Sequence, residues 1–150
     1  MDLHLDGSMT INAPRAVVFG LLTDPNFLAK TLPDAEDVQV LNGASLQARL
    51  KVRVSVVSSK LNIKMRLADI RPPETATLLV EGTGTGSTIR VTSTFTLSGD
   101  SPTRMGWSAD AEITGIMAGL GSSLLKGFAT KKVGEIFAGI TRAIEGAAVP

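Results

Sequence analysis

Three glycines alternate with threonines in the stretch EGTGTGST, residues 81–88, a composition that nucleotide-binding loops share. A dinucleotide fingerprint places its glycines between a strand and a helix, so that the helix N-terminus receives the phosphates. Here the glycines lead into STIRVTSTFTL, which alternates like a strand, and the spacing is GxGxG rather than GxGxxG. The stretch therefore predicts a hairpin turn with a bulge, formed by Gly82, Gly84 and Gly86, at the rim of a cavity.

Acid–base chemistry has few side chains available in this sequence, which contains one histidine, no cysteine and no tyrosine. His4 lies on a predicted strand between two aspartates, where a structural role is favoured over catalysis. A metal site needs several ligands at useful spacing, and one histidine with scattered carboxylates does not supply them. Asp110 and Glu112 fall on the strand face opposite Trp107, which points them to solvent. We predict no catalytic residue and no metal site.

The composition bounds the class of protein. The chain has 150 residues, of which 43% are hydrophobic and 19% charged, and its net charge is +1. The length predicts a single domain over residues 1–150. The net charge is too small to attract nucleic acid by long-range electrostatics. The absence of cysteine fits a reducing compartment, so we expect a cytoplasmic protein. No run approaches the roughly 18 apolar residues that span a bilayer, so membrane contact would be peripheral, at the inner face.

Hydrophobic periodicity predicts the order strand, two short helices, six strands and one long helix. The first strand covers residues 3–11, and the second short helix, NFLAKTL, stops before Pro33. Among the later strands, Asn42-Gly43 predicts a hairpin and Ser58-Ser59 a turn. The long helix runs from Gly115 to about Gly146. A curved seven-stranded antiparallel sheet around the long helix would cover every apolar face, and a flat two-layer sandwich without a cavity is the alternative.

The inward faces of the strands and the apolar stripe of the long helix together predict an apolar ligand site. Its predicted residues are Leu50, Val52, Ile63, Met65, Leu78, Val80, Phe95, Trp107 and Ala109 on the strands and Met117, Leu120, Leu124 and Phe128 on the helix. Five glycines interrupt the helix. Each destabilises a helix by about 1 kcal/mol relative to alanine. Close packing of the helix on the sheet, or a functional cavity, would explain why they are present. Such a site suits a lipid tail, an isoprenoid or a quinone, and a filled apolar core is the alternative.

The outer face of the predicted sheet is basic on neighbouring strands. One strand carries apolar residues from Leu46 to Val56 on its inner face, with basic residues opposite. The basic patch consists of Arg49, Lys51, Arg53, Lys64 and Arg66. Such charges commonly solvate a sheet, and the alternative is contact with anionic lipid head groups, at about 1 kcal/mol per basic residue, or with an acidic partner. No aromatic residues interleave with them, which argues against single-stranded nucleic acid.

The chain resembles one known family over nearly its whole length, through several short patterns. The opening GSMTINAPRAVVFGLLTDPNFLAKTLPDAEDV is similar to the start of CoxG proteins, the family of the carbon monoxide dehydrogenase G subunit. The matching elements are Ala13-Pro14, Phe19, Asp24-Pro25, Leu28 and Leu32-Pro33, and, at the strand-to-helix junction, Trp107-Ser108-Ala109-Asp110, Gly115, Ala118, Leu120 and Gly121. The family often has a glycine after its "LP", where this chain has Asp34. The resemblance implies an α+β helix-grip fold of the START/Bet v 1-like (SRPBCC) type.

The same resemblance implies a function. It suggests a non-catalytic accessory protein of a carbon monoxide dehydrogenase-type molybdenum hydroxylase, which assists membrane association or delivers a hydrophobic electron acceptor. We therefore expect a quinone or lipid as the ligand and no covalently bound cofactor. The two short helices, with Phe19, Phe27 and Leu28, are expected to form a movable lid. A cyclase- or dehydratase-like enzyme, for which Ser93 is the main inward polar group, and a ligand-free protein–protein adaptor are the alternatives.

Overall fold

The computed structural model describes residues 1–32, 34–84 and 86–148, and this part of the chain contains seven strands and three α-helices. The strands are β1 (Asp2–Ile11), β2 (Ala35–Asn42), β3 (Ser45–Val54), β4 (Val57–Arg71), β5 (Thr75–Gly84), β6 (Ser87–Gly99) and β7 (Thr103–Gly115). The helices are α1 (Arg15–Leu22), α2 (Pro25–Thr31) and α3 (Ser122–Ala148), preceded by a 3-10 helix (Met117–Leu120). The predicted element order and fold class are confirmed.

All seven strands form one antiparallel sheet in the order β1-β7-β6-β5-β4-β3-β2. Register shifts interrupt the β2–β3 pairing after Glu36 and the β4–β5 pairing after Ala68. Asp37 and Asp69, at these shifts, have positive φ angles of 51° and 49°. An extra residue in one strand bends it and increases its twist. The bulges therefore contribute to the curvature that wraps the sheet around α3.

The hairpin turns agree with the sequence at one position and differ at another. Asn42 ends β2, and its side-chain oxygen accepts a hydrogen bond of 2.8 Å from the Ala44 amide, as the predicted Asn-Gly turn requires. The predicted turn at Ser58-Ser59 is wrong, because the chain reverses at Ser55 and Val56, where Ser55 has a φ of 56°. Val56 is consequently 89% exposed at the hairpin tip rather than on the inner face.

The glycine-rich stretch forms the predicted hairpin between β5 and β6, since Gly84 pairs with Ser87, but no register shift among the described residues marks the predicted bulge. Gly82 and Gly84 belong to β5, and Gly86, with a φ of 74°, precedes β6. A Cβ at Gly82 would stand 2.7 Å from the Ile63 Cδ1 atom, and one at Gly84 would stand 2.5 Å from the Lys60 carbonyl oxygen. Gly84 is thus needed for β5 to pack beside β4, because the atom it would meet is backbone, whereas the end of the Ile63 side chain beside Gly82 can move. The central residue of the predicted turn, Thr85, lies outside the described residues.

The two short helices begin and end where local hydrogen bonds favour it. The Thr23 hydroxyl donates to the Phe19 carbonyl oxygen at 2.8 Å, at the end of α1. Asp24 caps α2 by accepting a 2.9 Å hydrogen bond from the Asn26 amide, and Pro25 occupies the first helical turn. The predicted stop at Pro33 lies outside the described residues, and α2 ends at Thr31.

The predicted continuous helix from Gly115 to Gly146 is wrong at its start. A 3-10 helix covers Met117–Leu120, and Gly121, with a φ of 91°, separates it from α3. A positive φ ends a right-handed helix and favours glycine. The break changes the rotational phase of every later residue in α3. Within residues 1–32, 34–84 and 86–148, no helix has the length and hydropathy needed to cross a membrane.

Two groups of buried residues pack between the sheet and the helices. The first, the α1 core, joins α1, the C-terminal end of β6, the N-terminal end of β7 and the second half of α3. It comprises Ile11, Ala13, Val18, Phe19, Leu22, Ala76, Leu97, Met105, Ile140 and Ile144. The second, the hairpin core, lies at the opposite end of the sheet and comprises Leu3, Val54, Ile113, Met117 and Leu125. The fold therefore has a large core at one end and a small one at the other.

Candidate functional site

A cavity of about 280 Å³ lies between the concave face of the sheet and α3. Its lining includes Leu3 and Met117 from the hairpin core, and Ile136, which packs against the α1 core. The cavity therefore occupies the space between the two cores. Its remaining apolar lining consists of Leu5, Leu32, Leu50, Val52, Leu61, Ile63, Val80, Ile89, Val91, Ala109, Ala111, Ile113, Leu125, Phe128, Ala129 and Val133.

Small side chains account for part of this space. Ala109 and Ala111 on β7 and Ala129 on α3 line the cavity, and larger residues at these positions would fill it. The third small strand residue, Ala48, is buried but does not line it. The α3 glycines do not contribute, since an added Cβ at Gly127 would meet nothing within 4 Å. Neither close packing nor the cavity explains that glycine, and nothing else in the structure explains it.

Seven of the thirteen predicted ligand-site residues line the cavity. They are Leu50, Val52, Ile63, Val80, Ala109, Met117 and Phe128. The alternation of apolar and polar residues correctly predicted which strand residues face the cavity. The strand registers agree, since Ile63 lies opposite Gly82 and Val80 lies opposite Val91 on the same face of the sheet. Whether these residues bind a ligand remains a prediction.

The other six predicted residues lie elsewhere. Met65 and Leu78 are half-buried beyond the cavity lining, and Leu120 packs against the hairpin core. Phe95 and Trp107 pack against the α1 core, where the Trp107 ring centroid lies 5.0 Å from that of Phe137. Phe95, Trp107 and Leu120 therefore pack against one of the two cores rather than lining the cavity.

Leu124 is the clearest correction, because its side chain is 43% exposed and does not line the cavity. The break at Gly121 resets the helical phase, so that Leu125, at 2% exposure, takes the inward position. A continuous helix from Gly115 would not include this reset. The sequence signal that could have located it is the pair of glycines that flank Leu120.

The predicted lid consists of side chains with different environments. Phe19 is 5% exposed within the α1 core, and its ring lies 6.0 Å from that of Phe95 in an edge-to-face arrangement. Leu28 is 7% exposed, and Phe27 packs against the α1 core. None of these three lines the cavity. In this conformation α1 is part of the packed interior, and the movement of a lid remains a prediction.

The mouth of the cavity carries three charged residues, of which Lys51 was predicted as part of the basic patch and Asp34 and Lys132 were not predicted as site residues. Lys132 on α3 donates hydrogen bonds to Asp34 Oδ2 at 3.1 Å and to Glu135 Oε2 at 3.3 Å. Its Nζ atom lies 5.9 Å from the Phe128 ring centroid. The hydrogen bond to Asp34 raises the pKa of Lys132 above its ordinary value, and the bond to Glu135 adds to this. Lys51, the third charged lining residue, is more exposed.

Asp34 adopts an unusual backbone conformation, with a φ of 60°. This left-handed region is the one that glycine occupies most easily and that aspartate and asparagine tolerate better than most residues. The conformation is consistent with the glycine that resembling sequences often carry at this point. Here the aspartate supplies a carboxylate to Lys132, from a position 98 residues away in the sequence.

His4 lies on the outer face of the sheet, away from the cavity. Its Nδ1 atom is 2.7 Å from Asp110 Oδ1 and its Nε2 atom is 2.9 Å from Asp6 Oδ2, so it joins β1 to β7. The hydrogen bond to Asp110, followed by that to Asp6, raises the pKa of His4 above its ordinary value. No cluster of three or more potential metal ligands occurs in the part of the chain that the structure describes.

The basic patch on the outer face is partly neutralised by β2. Arg49 lies 3.4 Å from Asp37, and Lys51 lies 3.1 Å from Glu36. Lys64 stands opposite Glu81 in the register of β4 and β5. Arg53 and Arg66, the remaining members, pair in register with Ser58 and Ser45, which are neutral. The positive charge of this face is therefore lower than the sequence alone suggests.

Comparison with solved structures identifies the same fold in several proteins. A conserved protein from Geobacillus kaustophilus is 24% identical, with a TM-score of 0.87, and 98% of each chain is covered. The Zhui aromatase/cyclase from Streptomyces sp. R1128 is 14% identical, with a TM-score of 0.68 and coverage of 97% of this chain and 94% of the other. Ara h 8.0201 is 17% identical, with a TM-score of 0.66 and coverage of 96% and 98%.

At these identities the likeness establishes the helix-grip fold alone. No curated protein matches the sequence. The family comparison is more specific. Residues 7–145, which run from the second half of β1 through most of α3 and include the whole mouth of the cavity, match the model of the carbon monoxide dehydrogenase G subunit, CoxG. The predicted resemblance is thereby confirmed, and the chain belongs to the CoxG family.

Proposed function

We propose that this CoxG-family protein is a non-catalytic accessory protein that holds a hydrophobic ligand, a quinone or a lipid, in the cavity. In this role it serves a carbon monoxide dehydrogenase-type molybdenum hydroxylase, by assisting its membrane association or by delivering an electron acceptor. The observation that carries the proposal is the cavity of about 280 Å³, whose lining is apolar except at the mouth. The family name supports the choice of partner enzyme.

The chemistry of the cavity favours ligands that lose contact with water on binding. Each Å² of apolar surface removed from water contributes about 25 cal/mol. The lining offers leucine, isoleucine and valine side chains from six strands, together with the ring of Phe128 on α3. A phosphate or a sugar would leave its polar groups without partners against these residues, and this would cost free energy. Sequestration from water is thus the mechanism that the site supports.

The size of the cavity limits what it can enclose. Small-molecule sites commonly have volumes of about 300–1,000 Å³, and this one, at about 280 Å³, is near the lower end. A substituted ring or a short branched chain fits this volume. The remainder of a long isoprenoid or acyl tail would extend through the mouth.

Two alternatives fit the structure less well. A ligand-free adaptor would be expected to fill the space between the two cores with side chains, whereas Ala109, Ala111 and Ala129 leave it open. A cyclase-like enzyme would need polar groups inside, and the relative with a solved structure named aromatase/cyclase makes this alternative worth testing. The inward hydroxyl of Ser93 donates to the Ser108 carbonyl oxygen at 3.1 Å instead of facing the cavity.

Mass spectrometry of an organic extract tests the proposal directly. Protein purified without detergent should release a stoichiometric quinone or lipid. An Ala111→Leu variant, which adds a larger side chain to the cavity lining, should lose most of it. Ala16→Leu is the matched control, because Ala16 is exposed on α1. An empty extract, together with no quenching of Trp107 fluorescence by an added quinone, would overturn the proposal.

Membrane contact needs a separate measurement. We expect the protein to float with anionic vesicles, and charge reversal at Lys51, Arg53 and Lys64 to reduce flotation. Reversal of Lys30, which is exposed on α2, is the control. Unchanged flotation of the triple variant would show that the basic patch is not the contact, whatever the cavity binds.

A further inference from the structure

The lining of the cavity contains charged residues only at its mouth, within the part of the chain that the structure describes. They are Asp34, Lys51 and Lys132. The Lys51 side chain is 61% exposed and bound to Glu36, whereas that of Lys132 is 34% exposed. Lys132 is therefore the less exposed cation at the mouth. A lysine ammonium beside an apolar cavity is a polar group that can fix the orientation of an entering ligand.

Lys132 is held in place by three neighbours. Asp34 and Glu135 each accept one of its hydrogen bonds, at 3.1 and 3.3 Å. The Phe128 ring, which itself lines the cavity, lies 5.9 Å from the Nζ atom. A lysine ammonium has three N–H donors. Two are engaged by the carboxylates, so one remains for an acceptor that enters the mouth.

The charges around Lys132 discriminate between acceptors. Two carboxylates flank one ammonium, so the net charge of this group is negative. A like charge placed beside them is disfavoured, whereas a neutral oxygen is not. A ligand carboxylate would approach Asp34 and Glu135 as well as Lys132, and a carbonyl oxygen would gain the hydrogen bond without that repulsion.

We propose that Lys132 is the polar anchor of the cavity, and that its ligand is an apolar molecule ending in a neutral hydrogen-bond acceptor, such as a ketone, quinone or ester carbonyl. The inference rests on the proposed function, because it names the ligand class of the same cavity. It makes Lys132 a specificity-determining residue, with Asp34 and Glu135 selecting against anionic ligands.

Three small ring compounds of matched size test this. Acetophenone carries a carbonyl, isopropylbenzene carries none, and benzoate carries a carboxylate. Affinities for the purified protein are measured by NMR chemical-shift titration. We expect wild type to prefer acetophenone, and Lys132→Met to reduce the acetophenone-to-isopropylbenzene affinity ratio about tenfold, as expected for a hydrogen bond to a charged donor. Lys131→Met, at an exposed neighbouring position, should leave the ratio unchanged.

A second variant tests the role of the carboxylates. Asp34→Asn removes one negative charge, and asparagine tolerates the positive φ of this residue. We expect it to raise benzoate affinity several-fold relative to isopropylbenzene. Unchanged ratios in both variants, with isopropylbenzene still bound, would overturn the inference and leave the proposed function intact. If none of the three compounds binds wild type or shifts signals from the cavity lining, the proposed function fails and the inference fails with it.

Discussion

The two ends of the concave sheet differ in how they are filled. The α1 core joins ten buried residues, nine from two helices and four strands and Ala13 from the connection between β1 and α1. Ile11, Val18, Ala76 and Ile144 within it are 0% exposed. The hairpin core has five, and the cavity separates the two. The same inward alternation of apolar residues produces both regions. What differs is the side chains that face α3, which are large at one end and small at the middle of β7.

This difference indicates that one end of the sheet stabilises the fold and the middle of the sheet forms the cavity. The α1 core resembles the interior of any small domain, where close packing supplies stability. The middle of the sheet is less closely packed against α3, and the cavity lies there. The side chains that line the cavity make fewer packing contacts than those of the α1 core. We therefore expect most of the free energy of unfolding to come from the end of the sheet that contains α1.

Truncation of large side chains should give the largest difference between the regions. Ile144→Ala in the α1 core should lower the free energy of unfolding by about 2–5 kcal/mol, because it removes packed atoms and leaves a new void. Leu50→Ala beside the cavity should cost about 1–2 kcal/mol, since only the transfer of the removed atoms counts. Urea denaturation monitored by Trp107 fluorescence measures both. Equal losses would contradict the division between the regions.

Enlargement of small side chains should change the sign of the effect. Ala76→Leu in the α1 core, where the residue is fully buried, should destabilise by about 1–3 kcal/mol through overpacking. Ala111→Leu should be neutral or stabilising by about 1 kcal/mol, because the cavity receives the added atoms. Thermal unfolding of the ligand-free proteins checks this. A destabilised Ala111→Leu variant would mean that the cavity lining is already closely packed.

The smallest expected effect concerns the outer face behind the cavity, where His4 joins β1 to β7. The folded protein raises the pKa of His4 above its unfolded value. Its contribution to stability is therefore fully present below the unfolded value, about 6.5, and is lost as pH rises through the folded value. Because the group is exposed, we expect a small change.

Melting temperatures at about pH 5.5 and about pH 9 test this. The wild type should lose slightly more stability than His4→Gln over this interval. An identical pH dependence in the two proteins would show that the pair with Asp110 contributes nothing. A change in ligand affinity that follows the same titration would show that the outer hydrogen bonds position Leu3 and Leu5 of the cavity lining.

The features that could be predicted from the sequence are those that depend on local periodicity. Alternation from Leu46 onward located the strands and their inward faces, and Asn42-Gly43 located a hairpin. It failed where a single backbone angle decides the outcome. The positive φ at Ser55 exposes Val56, and the positive φ at Gly121 moves Leu125 to the place expected for Leu124. The alternation before Ser55 gives no warning of its end, whereas the glycines on either side of Leu120 do mark the break before α3.

The charged mouth of the cavity could not be predicted for a different reason. Asp34 and Lys132 are 98 residues apart, and each is unremarkable in its own segment. Only the path of the chain, which brings the residue after α2 against the middle of α3, places them together. Long-range ion pairs of this kind carry no periodic signal, so a single sequence does not reveal them.

The edge position of β1 has a consequence for how the protein folds. Among the strands that the structure describes, β1 pairs only with β7, and the hydrogen bond between His4 and Asp110 joins residues 106 positions apart. Contacts between distant segments form slowly, because the intervening chain loses entropy before they form. During synthesis, β1 emerges before the other strands and cannot pair until β7 has been made. Since β1 carries Leu3 and Leu5, we expect the cavity to close last, after the hairpins of β2 to β7 have formed.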